Sequence, residues 1–345
     1  MKPMTSKERF LATIERRPVD RPAWWLGAPL PETEKNLCGY YKVADAAQLK
    51  KHLDDDVVSL EIPFHKAPSN HIACAFDWAK TADYHDRTLT SPGFFEGRED
   101  MASLDEFAWP DPSKYMNRDE IRQHIAKAPK DKALLAMLWS CHLQDACAAF
   151  GMQDALMAML DRPELFRAVI DRITQFYLAA NAIVYEAAGD LLDAVLIGND
   201  VGCQTGLMIS PDLIREFMLP GTRALIAQAH KYNLKVIHHS CGSIRPIIDD
   251  LVAAGADAIH PIQALATGMA AEDLAKTYKN RVSFCGGLDV QHLMVHGPAQ
   301  AVADRAKELT RLFPTGLIIS PSHEALLPDV PPEHVEALRK AMTGA

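Results

Sequence analysis

The sequence lacks the features of a nucleic-acid-binding or membrane-spanning protein. Its 345 residues carry a formal net charge of −9 and no stripe of clustered Lys and Arg, which argues against polyanionic partners such as nucleic acids and anionic membranes. No apolar run reaches the roughly 18–20 residues that a membrane span needs. The N-terminal segment lacks the apolar core and small-residue cleavage site of a secretory signal. We therefore expect a cytoplasmic protein without a nucleic-acid or membrane partner.

A disulfide framework is lacking too. The chain has 7 cysteines, an odd number scattered along a large protein, whereas disulfide frameworks occur mainly in small secreted domains. In a reducing compartment these thiols stay free for packing, metal binding or catalysis. Most are expected to pack in the core, because free cysteine is among the most buried residue types.

What the sequence does contain is a regular alternation of strands and helices. From residue 131 onward, short apolar runs alternate with segments whose apolar residues recur every three or four positions. Such an alternation predicts a parallel sheet. Eight strands are predicted in all, at about 23–27, 56–62, 133–140, 193–199, 235–241, 257–262, 282–287 and 316–321.

Eight strand–helix units in a chain of this length predict an α/β fold of the (β/α)8 TIM-barrel type. No Gly-rich phosphate-binding motif follows the first strand, which argues against a doubly wound nucleotide-binding fold. We expect one domain over residues 1–345. The segment 64–130 has no clear period and contains several Pro and Gly residues, and we interpret it as an elaborated connection that carries a hairpin or a lid.

The segment KVIHHSCG places an imidazole and a thiol where the fifth strand ends. His239 and Cys241 are two residues apart and so share one face of the strand. Zinc favours Cys sulfur and His nitrogen, and a catalytic zinc has three protein ligands and one open position. We predict that His239 and Cys241 bind zinc together with a third ligand, for which His323 is the first choice and Cys285 the second. The alternative is a buried cysteine beside a hydrogen-bonded histidine.

Polar residues at other strand ends are candidates for catalysis. Asp200 and Glu61 can orient ligands or handle a proton, and His260, which a proline follows at the end of the sixth strand, can line the site. A strand-end Asp often caps the next helix instead. For Glu61 and His260 a purely structural role also stays open.

Five blocks of the sequence resemble the uroporphyrinogen decarboxylase-like superfamily. They are RRPVDRP near the start, NDVGCQTGLMISPDLIREFMLP, HHSCGSIRPIIDDLVAAGADAIHPIQ, FCGGLD and the C-terminal DVPPEH. The blocks span nearly the whole chain. Because the fold of this superfamily is a TIM barrel, the resemblance implies the same fold.

The resemblance implies one of two chemistries. Uroporphyrinogen decarboxylases are metal-free and hold substrate carboxylates with arginines, including a pair just after the first strand, but the segment WWLGAPLPE at 24–32 has no arginine. The other branch is similar to cobalamin-dependent methyltransferases, whose zinc is held by a His-x-Cys pair and a later Cys. His239 and Cys241 match the pair. At the third position stands His323, where the decarboxylases also have a His.

The resemblance to the methyltransferase branch implies a zinc cofactor, a partner protein that carries a corrinoid (methylcobalamin), and a small-molecule methyl donor or acceptor. Two alternatives stay open. One is a decarboxylase of a porphyrin or a smaller carboxylate, and the other is a non-catalytic protein that binds thiols or corrinoids. The related decarboxylases also suggest a homodimer.

Overall fold

The computed structural model describes residues 3–67, 70–78, 88 and 90–344 of the chain. Its centre is a seven-stranded parallel sheet, β2 to β8, whose strands neighbour one another in chain order, and β1 pairs separately with β9. Parallel neighbours need a long crossover, usually a helix, which accounts for the alternation in the sequence. The strands are β1 Ala28–Pro29, β2 Val57–Glu61, β3 Ala133–Trp139, β4 Ala194–Gly198, β5 Lys235–His239, β6 Ala258–Ile262, β7 Ser283–Leu288, β8 Leu317–Pro321 and β9 Ala325–Leu326.

The residues predicted as the first strand join the two edges of this sheet. On the β8 side, Trp25 N–H donates a hydrogen bond to the Ile319 carbonyl oxygen (3.0 Å), and Ile319 N–H donates to that of Ala23 (2.9 Å). On the β2 side, Asp56 N–H donates to the Trp24 carbonyl oxygen (2.9 Å). The sheet therefore curls until its edge strands flank the same segment, as in the TIM-barrel type of fold. The predicted strand at 23–27 does not form as a strand: Trp24 makes a single bridge to Ile319, and β1 begins only at Ala28.

Helices follow the strands and pack on the outer face of the sheet. Among the described residues, none of them has the length and apolar character needed to cross a membrane. A π-helical stretch, Ile214–Met218, separates α9 from α10. The helices are α1 Ser6–Ile14, α2 Pro31–Tyr41, α3 Ala46–Leu53, α4 Ser103–Glu106, α5 Arg118–Ala126, α6 His142–Phe150, α7 Met152–Asp161, α8 Pro163–Ala188, α9 Pro211–Leu213, α10 Leu219–Lys231, α11 Ile248–Ala254, α12 Ala271–Tyr278, α13 Leu293–His296, α14 Ala299–Leu312 and α15 Pro332–Thr343.

A second apolar cluster fills the inner side of the sheet. Because side chains alternate along a strand, every second residue of several strands contributes to it. Helix α1 closes the N-terminal end, where Phe10 and Ile14 join the cluster and Ser283 at the start of β7 donates a hydrogen bond to the Ile14 carbonyl oxygen (2.7 Å). The C-terminal strand ends form the opposite end, where this type of fold carries its functional residues.

The elaborated connection at 64–130 is present, but no hairpin occurs in the part of it that the structure describes. Residues 68–69, 79–87 and 89 of this connection lie outside the described residues. The remainder forms short helical turns around an aromatic cluster. In this cluster the rings of Phe76 and Phe107 each stack on the ring of Trp78, with 4.8 Å between centroids. The parallel α/β fold is thus confirmed, whereas a single domain over the whole chain stays a prediction.

Candidate metal centre

Strand β5 ends at His239, and the chain turns sharply at Gly242. The φ angle of Gly242 is +81°, and a Cβ there would lie 2.4 Å from the carbonyl carbon of Gly202. Only glycine fits such a close approach. The loop after β4 is thereby held against the loop after β5, which places Asp200 beside Cys241.

Three residues predicted from the sequence, His239, Cys241 and Asp200, form a compact group. The Cys241 sulfur lies 3.5 Å from Nε2 of His239, and Oδ1 of Asp200 lies 3.3 Å from the same nitrogen. The backbone N–H of Cys241 donates a hydrogen bond to Asp200 Oδ1 (2.7 Å). One ligand atom of each residue lies within 4.8 Å of the others, a spacing at which they can hold a metal ion together.

His323, the first choice for a third ligand, lies beside Cys241, and both residues line the same cavity. Its Nδ1 accepts a hydrogen bond from the backbone N–H of Ala325 (3.0 Å), which fixes the ring. The neighbouring thiol of Cys241 raises the pKa of the His323 ring. The rings of His323 and His239 stand edge to face, with 6.4 Å between their centroids. The structure therefore brings His323 to the predicted pair.

The opposite nitrogen of His239 faces a second group of polar residues. Its Nδ1 lies 2.8 Å from Nδ1 of His260 and 3.6 Å from Oε2 of Glu324. Glu324 is 9% exposed, and its Oε2 has no hydrogen-bond partner among the described residues. Burial holds the pKa of His260 well below its usual value, so this imidazole stays neutral and accepts a hydrogen bond from His239.

Glu324 is a candidate functional residue that lies at a predicted strand end but to which the sequence alone assigned no role. It follows His323 directly in the segment SPSHE, after the end of β8. Its position beside a proposed ligand at a strand end was the available signal. A carboxylate in contact with the far side of a ligating histidine is a common arrangement around zinc, because it orients the ring and raises its basicity.

The electrostatics of the group favour a thiolate. Burial raises the pKa of Cys241, but hydrogen bonds with His239 and His323 outweigh burial, and the pKa is lowered overall. Burial lowers the pKa of His239, but hydrogen bonds with Asp200 and Cys241 raise it to about 10. Burial also disfavours the Asp200 carboxylate, yet the hydrogen bond from His239 lowers its pKa to about 2. The thiolate is the form of cysteine that binds metals.

Cys285 and Glu61 lie elsewhere. β7 extends to Leu288, so Cys285 sits within the strand, where its fully buried side chain belongs to the inner apolar cluster. Burial raises the pKa of its thiol to about 12, and its sulfur contacts Ser320 Oγ at 3.3 Å. Glu61 ends β2 with an exposed side chain that pairs with His71 Nε2 at 3.0 Å. The structure therefore does not bring either residue into the metal group.

A cavity of about 280 Å³ opens beside Cys241 and His323. Its walls combine apolar, amide and carboxylate side chains, as small-molecule sites commonly do. The lining residues are Cys241, Gln263, Leu265, Asp289, Val290, Gln291, Ser322, His323, Ala325, Leu327, Asp329 and Val330. A larger cavity, of about 880 Å³, lies between α3 and residues 129–132, away from the metal group.

The curled parallel sheet with its outer helices defines an α/β protein of the TIM-barrel type. The family model described as uroporphyrinogen decarboxylase (URO-D) matches residues 117–344. The chain belongs to the uroporphyrinogen decarboxylase family, which confirms the resemblance inferred from the sequence blocks. No curated protein is similar enough in sequence to count as a match.

Among solved structures, a methyltransferase from Methanosarcina mazei superimposes with a TM-score of 0.70 and 18% sequence identity, and the alignment covers 99% of each chain. The two proteins share their fold over the full length. A dihydropteroate synthase from Xanthomonas albilineans, solved with 4-aminobenzoic acid, aligns over 48% of this chain and 58% of its own, with a TM-score of 0.30 and 19% identity.

Proposed function

We propose that this protein is a zinc-dependent methyltransferase that moves a methyl group between a corrinoid on a partner protein and a small-molecule donor or acceptor. The observation that carries the proposal is the Cys241 sulfur 3.5 Å from Nε2 of His239 at the mouth of the barrel-like sheet. Membership of the uroporphyrinogen decarboxylase family and the fold shared with a methyltransferase support it.

The residues present fit a zinc ion. A sulfur and an imidazole nitrogen are the donors that zinc favours, and the neighbouring His323 offers a third donor. The buried Oε2 of Glu324, which lacks a hydrogen-bond partner among the described residues, adds negative charge behind these donors. Zinc at such an open site acts as a Lewis acid that lowers the pKa of a bound thiol or polarises an ether oxygen.

The chain's own residues position the reacting groups. Nε2 of His239 is directed at Cys241. The Nδ1–H of His239 then donates to the neutral imidazole of His260, and this hydrogen bond selects one tautomer of the His239 ring. Asp200 accepts from the backbone N–H of Cys241 and so holds the thiol in place. Its second role is to handle a proton. Methyl transfer is an in-line displacement, to which the enzyme contributes chiefly by positioning.

His323 in place of a second cysteine has a chemical consequence. A neutral imidazole cancels less of the positive charge of a zinc ion than a thiolate does. The centre proposed here would therefore be a stronger Lewis acid than one with a His-x-Cys pair and a later Cys. This property suits a methyl donor with a poor leaving group.

Metal analysis tests the proposal. We expect about one zinc ion per chain in the purified protein and a loss of that zinc in Cys241→Ala. Cys38→Ala, which changes a partly buried cysteine of α2, is the matched control and should keep the metal. The zinc-loaded protein should transfer methyl groups to or from free cobalamin, followed by the visible spectrum of the corrinoid.

Other outcomes would favour the alternatives. A metal-free chain that decarboxylates a porphyrinogen or a smaller carboxylate would contradict the proposal and assign the decarboxylase chemistry that the family name denotes. A zinc-loaded chain that transfers no methyl group with cobalamin, yet binds thiols or corrinoids, would be a non-catalytic binder.

A further inference from the structure

The cavity beside Cys241 and His323 has a one-sided charge. The formally charged residues on its wall are Asp289 and Asp329, and no Lys or Arg lines it within the described ranges. Two further carboxylates, those of Asp200 and Glu324, lie behind the Cys241 thiol and the His323 ring. A substrate bound beside the thiol therefore occupies a cavity whose wall carries two carboxylates.

The two carboxylates on the cavity wall, Asp289 and Asp329, differ in how far hydrogen bonds from the protein compensate their charge. Asp289 is buried, and its oxygens accept hydrogen bonds from the backbone N–H groups of Gln291, His292 and Leu293 at 2.9–3.0 Å. These donors compensate much of its charge, which makes it a structural residue of the loop. Asp329 is exposed, and no hydrogen bond or ion pair to it occurs in the part of the chain that the structure describes. The charge of Asp329 is therefore available to a ligand.

The interior of the site adds a further carboxylate, which faces the imidazole nitrogens of His239 and His323. Glu324 is 9% exposed, and the Oε2 atom without a hydrogen-bond partner lies 3.7 Å from Nδ1 of His323, whose ring lines the cavity. Buried charges are screened little by salt. The zinc ion of the proposed function adds two positive charges, but the five negative charges of Cys241, Asp200, Glu324, Asp289 and Asp329 exceed them, so the site as a whole stays negative.

Apolar side chains flank the entrance. Leu265 and Leu327 line the cavity and are 50% and 49% exposed, a high value for leucine at a concave surface. Such contacts suit methylene or methyl groups. The volume of about 280 Å³ limits the ligand to a small molecule.

From these contacts we infer that the substrate bound beside Cys241 is a small molecule with a positive charge next to an apolar segment, such as an amine or a methylated ammonium compound, and not a sulfonate, carboxylate or phosphate. The inference rests on the proposed function, because it concerns the substrate of the same site. It predicts that the site discriminates between ligands that differ in charge alone.

Three thiols of equal length provide the test: cysteamine is cationic, 2-mercaptoethanol neutral and 2-mercaptoethanesulfonate anionic. Each is titrated into the Co²⁺-substituted protein, and the growth of the sulfur-to-cobalt absorption beyond the band due to Cys241 reports binding without any methyl transfer. At low salt we expect the Kd of cysteamine to be about tenfold lower than that of the sulfonate. The ratio should shrink as salt is raised, because the exposed charge of Asp329 is screened.

The Asp329→Lys variant separates the effect of the ligand's charge on Kd from the effect of the acidity of its thiol. Comparing each thiol with itself in the wild type and the variant cancels intrinsic differences among the thiols. We expect the Kd of cysteamine to rise, that of the sulfonate to fall and that of mercaptoethanol to stay within about twofold. Asp304→Lys makes the same change in net charge on the exposed surface of α14 and should leave all three Kd values unchanged.

Equal changes of all three Kd values in Asp329→Lys would overturn the inference while leaving thiol binding, and with it the proposed function, intact. A lower Kd for the sulfonate than for cysteamine in the wild type, unaffected by the variant, would overturn it as well. A protein that binds neither Co²⁺ nor any thiol would contradict the proposed function itself.

Discussion

His239 and His260 meet through their Nδ1 atoms, which lie 2.8 Å apart on the side of the His239 ring that faces away from Cys241. Burial lowers the pKa of His260 and keeps the ring neutral, so its Nδ1 can accept from His239 in the tautomer that carries the proton on Nε2. The contact leaves Nε2 of His239 to face the Cys241 sulfur. His260 is thus a positioning residue for the proposed metal centre.

We predict that His260→Ala lowers the zinc affinity by about 10–100-fold, the usual effect of removing a partner of a metal-bound histidine. The affinity is measured by competition with a chromophoric chelator. His124→Ala, a change on helix α5, serves as the control and should leave the affinity unchanged. If His260→Ala binds zinc as tightly as the wild type, the contact with His239 has no role in positioning.

Glu324→Gln removes a buried negative charge at constant shape. Because Oε2 of Glu324 lies within 4 Å of imidazole nitrogens of both His239 and His323, we expect the zinc affinity to fall about tenfold or more. Glu333→Gln on the exposed surface of α15 is the matched control. The same competition assay applies, and a Glu324→Gln protein with wild-type affinity would exclude a contribution from this carboxylate.

Cys285→Ala tests whether Cys285 or His323 is the third zinc ligand. The thiol of Cys285 is packed inside the sheet, so we expect the substitution to lower the free energy of unfolding by about 1 kcal/mol through loss of packing and to leave the zinc content unchanged. Urea denaturation and metal analysis measure the two effects. Loss of zinc in Cys285→Ala would assign it the ligand role for which His323 is the first choice.

Asp145 on helix α6 should make the stability pH-dependent. Burial raises its pKa to about 7, although the hydrogen bond from the Tyr177 hydroxyl (2.5 Å) opposes this shift. An unfolded Asp titrates near pH 3.9. Between about pH 4 and pH 7 the folded protein therefore holds a proton that the unfolded chain has lost, and the free energy of unfolding falls as pH rises through this window.

Asp145→Asn removes this titration. We expect the variant to show a flatter dependence of the urea midpoint on pH between pH 5 and pH 8 than the wild type, with Asp154→Asn on the neighbouring helix α7 as the control. An identical slope in Asp145→Asn and the wild type would contradict the prediction.

Local sequence patterns predicted most of the fold. The strand boundaries of β3, β5 and β8 agree with the predicted 133–140, 235–241 and 316–321 to within two residues, because buried parallel strands are continuous apolar runs bounded by polar turns. The first strand was the exception. Residues 23–25 form hydrogen bonds to both sheet edges without a long ladder, a property that depends on partners far away in the chain.

The chain's own pattern was sufficient to place an imidazole and a thiol on one face at the end of β5, since two residues of a strand separated by one position always share a face. Which other strand ends reach that pair was decided only by the tertiary structure. Register and strand length placed Cys285 inside the apolar core and brought His323 and Glu324 to the site. Those distances arise from the curl of the sheet and from the approach of Gly242 to Gly202, which no local pattern encodes.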